Sequence, residues 1–190
     1  MGPRQAFGVV GDAVGEREDE ADLRRLLASL ERRGLVREGL SRWGHPAVRD
    51  IGPNRQPQRR MDSSALQRRF VACAYGTPSP GADLCASWVE QGFSRLGMGV
   101  VLGDAAELYA SYCHYSDTAD LKVGMIVAVP AHPLSAQGMA HGHVGIYIGD
   151  GLVADSVSGS VREVPLSLWL SAYGLMADPR WGWLGSIGLG

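Results

Sequence analysis

The sequence contains few of the residues that mark several common classes of protein. Its three cysteines include no Cys-x-x-Cys pair, which argues against a cysteine-rich zinc module. No stretch approaches the roughly 18 apolar residues needed to span a bilayer, and the amino terminus turns acidic before any continuous apolar region forms. We therefore expect neither a membrane helix nor a signal peptide, and a protein that acts in the cytoplasm or is exported by a signal outside this sequence.

Charge and length further limit the classes of protein to which the sequence could belong. The chain has 190 residues, a net charge of −2 and one lysine, Lys122, among 18 basic residues. This balance predicts no nucleic acid partner for the chain as a whole. The glycine-rich "GMGVVLG" follows a predicted helix and lacks a downstream Gly-Lys-Thr, so no nucleotide site and no cofactor are predicted. The length suits one packed domain with an appendage.

The appendage is predicted to comprise residues 1–62. Leucines at helical spacing over residues 23–30 indicate an amphipathic helix, and an arginine-rich stretch that contains "IGPNRQPQRR" indicates a basic connector. The connector is either a solvated linker or an anion-binding arm for phosphate-rich wall polymers or nucleic acid. Residues 63–190 are predicted to form the folded domain.

Helices are predicted first in that domain and strands second. Three helical segments run from "SSALQRRFVACAYG" through "LCASWVEQGFSRLG" to "DAAELYASYC". Four strands are predicted over residues 123–129, 143–149, 152–157 and 160–165, followed by a short helix, "LSLWLSAYG", and an aromatic tail, "PRWGWLG". This order predicts an α+β fold with the helices packed on a central antiparallel sheet.

Cys85 and His143 form the candidate reactive pair. Cys85 follows "SPGAD" and opens a predicted helix, where unpaired backbone N–H groups favour the thiolate. Cys73 and Cys113 fit the description of buried structural cysteines. A thiol nucleophile also needs an imidazole base and a third polar group that orients it. Of the five histidines, His141 and His143 stand at the mouth of a predicted strand.

The third group depends on the register of the hairpin in "HVGIYIGDGLVADS". A two-residue turn at Asp150 and Gly151 would place Asp155 opposite Ile146, on the wrong face, and Ser156 would then take the role. A three-residue loop would instead place Asp155 opposite Gly145, on the face of His143. We favour the second register, because the missing side chain at Gly145 leaves room for the contact.

"LCASWV" followed by "HVGIYIGDGLVADS" resembles the NlpC/P60 family of papain-like cysteine peptidases, and less closely its CHAP relatives, over roughly residues 66–184. The resemblance implies Cys85 as nucleophile, His143 as base and Asp155 as third group. It also implies a papain-like fold and hydrolysis of amide bonds in bacterial cell-wall peptides at the cell envelope. The family's usual "DCSG" reads "DLCASW" here, and Asp155 stands where histidine is commoner.

The resemblance further implies a substrate groove beside the cysteine. We assign substrate binding to Tyr75, Asp83, Ser87 and His141, with Tyr75 as a loose counterpart of the family's pocket tyrosine. A further hypothesis is that residues 1–62 cover this groove and restrain activity.

Two other functions remain open. Cys113, His114 and His132 could combine with the His141 and His143 pair as a zinc site, because an H-x-H on a strand points both rings the same way. The same Cys85 and His143 could alternatively serve an acyltransferase or thioesterase, or the domain could be an inactive binding module.

Overall fold

The computed structural model describes residues 56–190 together with Arg24, Arg25, Ala28 and Ser29. Those four residues are helical, within the segment where the leucine spacing predicts a helix. The other residues of that predicted helix and most of the predicted basic connector lie outside the described residues. Among the described helices, none has the length and apolar character required to cross a membrane.

Three helices begin the domain, as predicted. They are α1 (Ala65–Tyr75), α2 (Cys85–Leu96) and α3 (Ala105–Tyr112). Capping boxes at Ser64 and Asp104 start α1 and α3, because each side chain accepts a hydrogen bond from the backbone three residues on. The starts of α1 and α3 are therefore determined by contacts between residues that are close in the sequence.

The second half forms a five-stranded antiparallel sheet in the order β4-β3-β2-β1-β5, which confirms the predicted α+β class. The strands are β1 (Ile126–Val129), β2 (His143–Gly149), β3 (Leu152–Val157), β4 (Ser160–Pro165) and β5 (Arg180–Gly182), and the intervening helices are α4 (Ala136–His141) and α5 (Leu166–Tyr173). β1 is shorter than predicted because Gly124, with φ of 86°, turns the chain before it. The aromatic tail contributes β5, and α4 was not predicted.

Close packing of α1 on α2 fixes the position of α2 over the sheet. A Cβ at Gly92 of α2 would lie 3.1 Å from the Cα of Ala74, so the helices approach closely where glycine leaves space. Phe70 and Phe93 meet edge to face with ring centroids 5.8 Å apart. The fully buried Trp88 donates its indole N–H to the carbonyl of Thr77 at 3.0 Å. The start of α2 is thereby held against β2.

The last residues of the predicted connector pack on the domain. The backbone N–H of Gln58 donates to Leu121 at 2.9 Å, and its side-chain oxygen accepts from Val123 at 2.9 Å. Tyr147 of β2 donates its hydroxyl to the Gln58 carbonyl at 2.9 Å. Packing in the described chain therefore starts before residue 63, and the division of function between 1–62 and 63–190 stays a prediction.

Candidate active site

Cys85 is the first residue of α2, where the helix leaves its N–H groups unpaired. Leu84, at the N-cap, provides no side-chain cap. The backbone N–H groups of Val144 and Ala86 donate to the Cys85 sulfur instead. These contacts place the thiol between the helix start and β2, which are elements far apart in the sequence.

The other two cysteines lie in different surroundings. Cys73 is half-buried on α1 and Cys113 is buried at the end of α3. Burial raises the pKa of the Cys113 thiol to about 12, which keeps it protonated. Cys85 is therefore the described cysteine that is placed for nucleophilic attack.

His143 joins Cys85 to Asp155. Its Nε2 lies 2.8 Å from Oδ2 of Asp155, and its side chain also hydrogen-bonds the Cys85 thiol. Because Asp155 occupies Nε2, Nδ1 is the ring nitrogen available to the sulfur. The imidazole is 7% exposed and the carboxylate fully buried. The three groups that the sequence singled out thus form one chain of hydrogen bonds.

The favoured hairpin register is confirmed, although the turn differs from the expected loop. Asp155 pairs with Gly145, as the three-residue loop would require. The turn itself has two residues in the left-handed region, Asp150 and Gly151, with φ of 53° and 75°. A register shift between Tyr147 and Gly149 then moves the strands by one residue. The bulge therefore brings Asp155 to the face of His143.

Asp155 has further partners that the sequence analysis did not identify. Arg162 of β4 donates from Nε to Oδ1 at 2.8 Å and from Nη2 to Oδ2 at 3.3 Å. The indole N–H of Trp169 on α5 donates to Oδ2 at 3.1 Å. The turn at Ser158 and Gly159 places Arg162 directly opposite Asp155. This contact could therefore have been predicted from the register of the β3 and β4 hairpin.

Aromatic rings enclose the imidazole on the α5 side. Tyr173 stacks on His143 with centroids 4.3 Å apart, and Trp169 stacks at 5.8 Å. His132 meets His143 edge on at 5.8 Å. Burial and the charge of His143 lower the pKa of His132 to about 4, so His132 is neutral at pH 7. The imidazole of His143 is therefore enclosed by rings that restrict its movement and its access to solvent.

The electrostatics favour an ion pair between Cys85 and His143. Burial alone would raise the pKa of Cys85, but the hydrogen bond and charge of His143 hold it below the ordinary value. Burial opposes the imidazolium as well, yet Asp155 and Cys85 raise the pKa of His143 to about 9. For Asp155, His143 and Arg162 outweigh burial and lower the pKa to about 2. The lowered pKa of Cys85 and the raised pKa of His143 both favour thiolate and imidazolium over the neutral pair, and Asp155 is ionised at neutral pH.

A groove of about 840 Å³ opens beside Cys85. Asp83, Ser87 and His141, all assigned to substrate binding, line it. His141 Nδ1 lies 2.8 Å from a carboxylate oxygen of Asp104 on the same wall. Tyr75 is not among the residues that line it, because its hydroxyl donates to Glu163 of β4.

Three further residues that line the groove, Ser156, Arg25 and Ser29, bear on the alternatives. Ser156, the alternative third group, lines the groove and shares a 2.7 Å hydrogen bond with Ser79, whereas Asp155 contacts His143. From the amino-terminal segment, Arg25 and Ser29 also border the groove. These two positions at the groove motivate a test of the hypothesis that this segment covers it.

The zinc alternative depended on two histidines of one strand. His141 ends α4 and His143 opens β2, so the H-x-H does not lie on a strand and that premise is wrong. Among residues 56–190 and the four described helical residues, no three His, Cys, Asp or Glu side chains are grouped as metal ligands.

No protein-family model matches the chain, and no curated protein matches it. Among solved structures, the chain is similar to the peptidoglycan hydrolase RipB from Mycobacterium tuberculosis, with 16% identity, a TM-score of 0.39, and coverage of 84% of this chain and 86% of that one. A likeness at this level assigns no role to any residue of this chain.

Proposed function

We propose that the protein is a cysteine hydrolase that cleaves amide bonds in bacterial cell-wall peptides. The observation that carries the proposal is the hydrogen-bonded chain of Cys85, His143 and Asp155 at the base of an open groove. Three groups of these types in this order provide a nucleophile, a proton carrier and an orienting anion.

The reaction follows from these positions. The Cys85 thiolate adds to the amide carbonyl carbon, and the resulting oxyanion accepts a hydrogen bond from the Cys85 backbone N–H, which has no partner within the helix. His143 then gives its proton to the leaving amine nitrogen as the C–N bond breaks, which leaves a thioester on Cys85. A water molecule gives a proton to neutral His143 and attacks the thioester. The C–S bond breaks, the acid product leaves and the ion pair is restored.

The substrate class rests on the resemblance of the cysteine and histidine segments to NlpC/P60 peptidases. The groove is consistent with a peptide, since its volume of about 840 Å³ accommodates several residues. Its walls carry Asp83 and the Asp104 and His141 pair, which could bind backbone amides or charged ends of a wall peptide. Such a substrate places the protein's action at the cell envelope.

Digestion of purified peptidoglycan tests the proposal. Wild-type protein should release new primary amines and fragments that are heavier by one water at a single peptide bond, and Cys85→Ala should release none. Cys73→Ala is the matched control, because Cys73 lies outside the groove, and it should retain activity. Fragments joined to an added amine or alcohol would indicate an acyltransferase. Rapid alkylation of Cys85 without any product from peptidoglycan would reject the substrate class.

A further inference from the structure

Arg162 is a cation held in the interior of the site. Its side chain is 9% exposed, and its partner Asp155 is fully buried. Nε and Nη2 engage both carboxylate oxygens, and Nη2 also donates to the hydroxyl of Tyr173 at 2.8 Å. A planar guanidinium held at three points fixes the carboxylate in both position and plane.

The reaction places a particular demand on Asp155. When His143 has given its proton to the leaving amine, the buried carboxylate loses the positive charge that faced it. A buried anion that has lost its counter-charge is costly to the fold. A permanent cation on the far side of Asp155 supplies the missing charge at that stage.

We infer that Arg162 is a positioning residue that acts through Asp155, keeping the carboxylate ionised and directed at His143 while the imidazole is neutral. The inference deepens the proposed function and rests on it. The reacting unit then has four members in sequence, which are Cys85, His143, Asp155 and Arg162, and alternating charges along it sum to zero when the ion pair is formed.

Tyr173 connects Arg162 with His143. Its hydroxyl accepts from Arg162, and its ring stacks on the imidazole of His143. Burial and the charge of Asp155 raise the pKa of Tyr173, so its hydroxyl stays neutral. One side chain of α5 therefore limits the movement of both Arg162 and His143.

The sign of the effect follows from the charges around His143 and Asp155. The polar and titratable groups that face this pair come from α2, β4, α5 and the segment before α4. They are Cys85, Arg162, Trp169, Tyr173 and His132. Arg162 is the member of this set that is positively charged at every accessible pH. Its removal makes the local potential more negative, so the proton of the His143 and Asp155 pair is held more tightly.

The test is the rate of Cys85 alkylation by iodoacetate as a function of pH, read by peptide mass spectrometry. The lower midpoint marks formation of the thiolate. The upper midpoint marks loss of the imidazolium, since an anionic reagent is attracted by that positive charge. We expect Arg162→Met to raise the upper midpoint by about one pH unit, and Arg162→Lys to leave it within about 0.3 unit, because lysine retains the charge. Loss of the Arg162 charge also slows the reaction with anionic iodoacetate at every pH. The midpoints are therefore compared between variants, and not the rates themselves.

Two controls separate the possible failures. Arg95→Met removes an exposed arginine of α2 that bonds the Gly76 carbonyl outside the site, and it should leave both midpoints unchanged. If Arg162→Met does not fold, Arg162→Gln is measured by the same criterion. An unchanged upper midpoint in the uncharged variant, or an equal shift in Arg162→Lys, overturns the inference while the proposed function stands. The proposed function itself is overturned if the lower midpoint of the wild type is unchanged in His143→Ala.

Discussion

Replacement of Asp155 by asparagine should destabilise the fold through the charge it leaves behind. The asparagine keeps the shape of the side chain, but Arg162, 9% exposed, loses its counterion. Removal of one partner from a buried ion pair costs about 3–5 kcal/mol, mostly because the remaining charge is uncompensated. We therefore expect Asp155→Asn to lower the free energy of unfolding at pH 7 by about that amount.

A pH dependence accompanies this loss. The pKa of Asp155 is lowered from 3.8 to about 2 in the folded protein, and at about 1.36 kcal/mol per unit this difference contributes about 2 kcal/mol. A depressed folded pKa gives stability that is present above the unfolded value and is lost as pH falls through the folded value. Wild type should thus lose this contribution between about pH 4 and pH 2, and Asp155→Asn should lack that part of the acid transition.

The double variant Asp155→Asn with Arg162→Met isolates the cause. If the uncompensated cation carries most of the loss, its removal should recover at least about 2 kcal/mol relative to Asp155→Asn alone. Urea unfolding followed by far-ultraviolet circular dichroism is the assay, because Trp169 contacts the site and would confuse a fluorescence signal.

The control for this series is Asp62→Asn, which breaks an exposed ion pair with Arg59 whose side chains are 51% and 63% exposed. That change should cost less than about 1 kcal/mol. A double variant no more stable than Asp155→Asn, or an Asp155→Asn effect as small as the control, would refute the buried-charge explanation.

Three further changes test other parts of the site. Gly145→Ala should slow alkylation of Cys85 by more than about tenfold, because the new Cβ would lie 2.7 Å from a carbonyl oxygen of β3 and would displace the third group; a wild-type rate would contradict this account of the hairpin. His141→Ala should raise KM for the wall peptide by up to about tenfold, the value of one hydrogen bond, and leave the alkylation midpoints in place; an unchanged KM would remove it from the substrate site. Arg25→Glu should raise peptidoglycan turnover by roughly fivefold if the amino-terminal segment covers the groove, whereas Arg24→Glu, which does not border the groove, should not; equal turnover in the two variants would argue against a covering role.

Local chemistry explains which parts of the fold the sequence predicted well. Ser64 starts α1 and Gly97 ends α2 through cap contacts that involve only near neighbours, so these bounds can be read from sequence. By contrast, β5 has three residues, and its pairing with β1 depends on the folded sheet. The six-residue α4 likewise carries too little periodicity to be recognised. Short elements are therefore decided by tertiary packing.

The residues of the candidate site likewise divide into those that the local sequence indicates and those that depend on tertiary packing. Cys85 and His143 were identified from their positions at the starts of a helix and a strand, and Asp155 from the room at Gly145. Trp169 could not be identified, because its hydrogen bond to Asp155 depends on how α5 docks against the sheet. Hydrophobic spacing in "LSLWLSAYG" predicts the helix but does not indicate which ring will meet the imidazole.

The bulge in the β2 and β3 hairpin shows how a turn can mislead when it is considered alone. The two-residue turn at Asp150 and Gly151 fits the standard hairpin geometry, and taken strictly it excludes Asp155 from the face of His143. One unpaired residue between Tyr147 and Gly149 reverses that outcome. Because a shift of one residue exchanges the two faces of a strand, the bulge determines whether His143 receives a carboxylate. The chemistry proposed for Cys85 consequently depends on an irregularity of the sheet about as much as on the identity of the reacting residues.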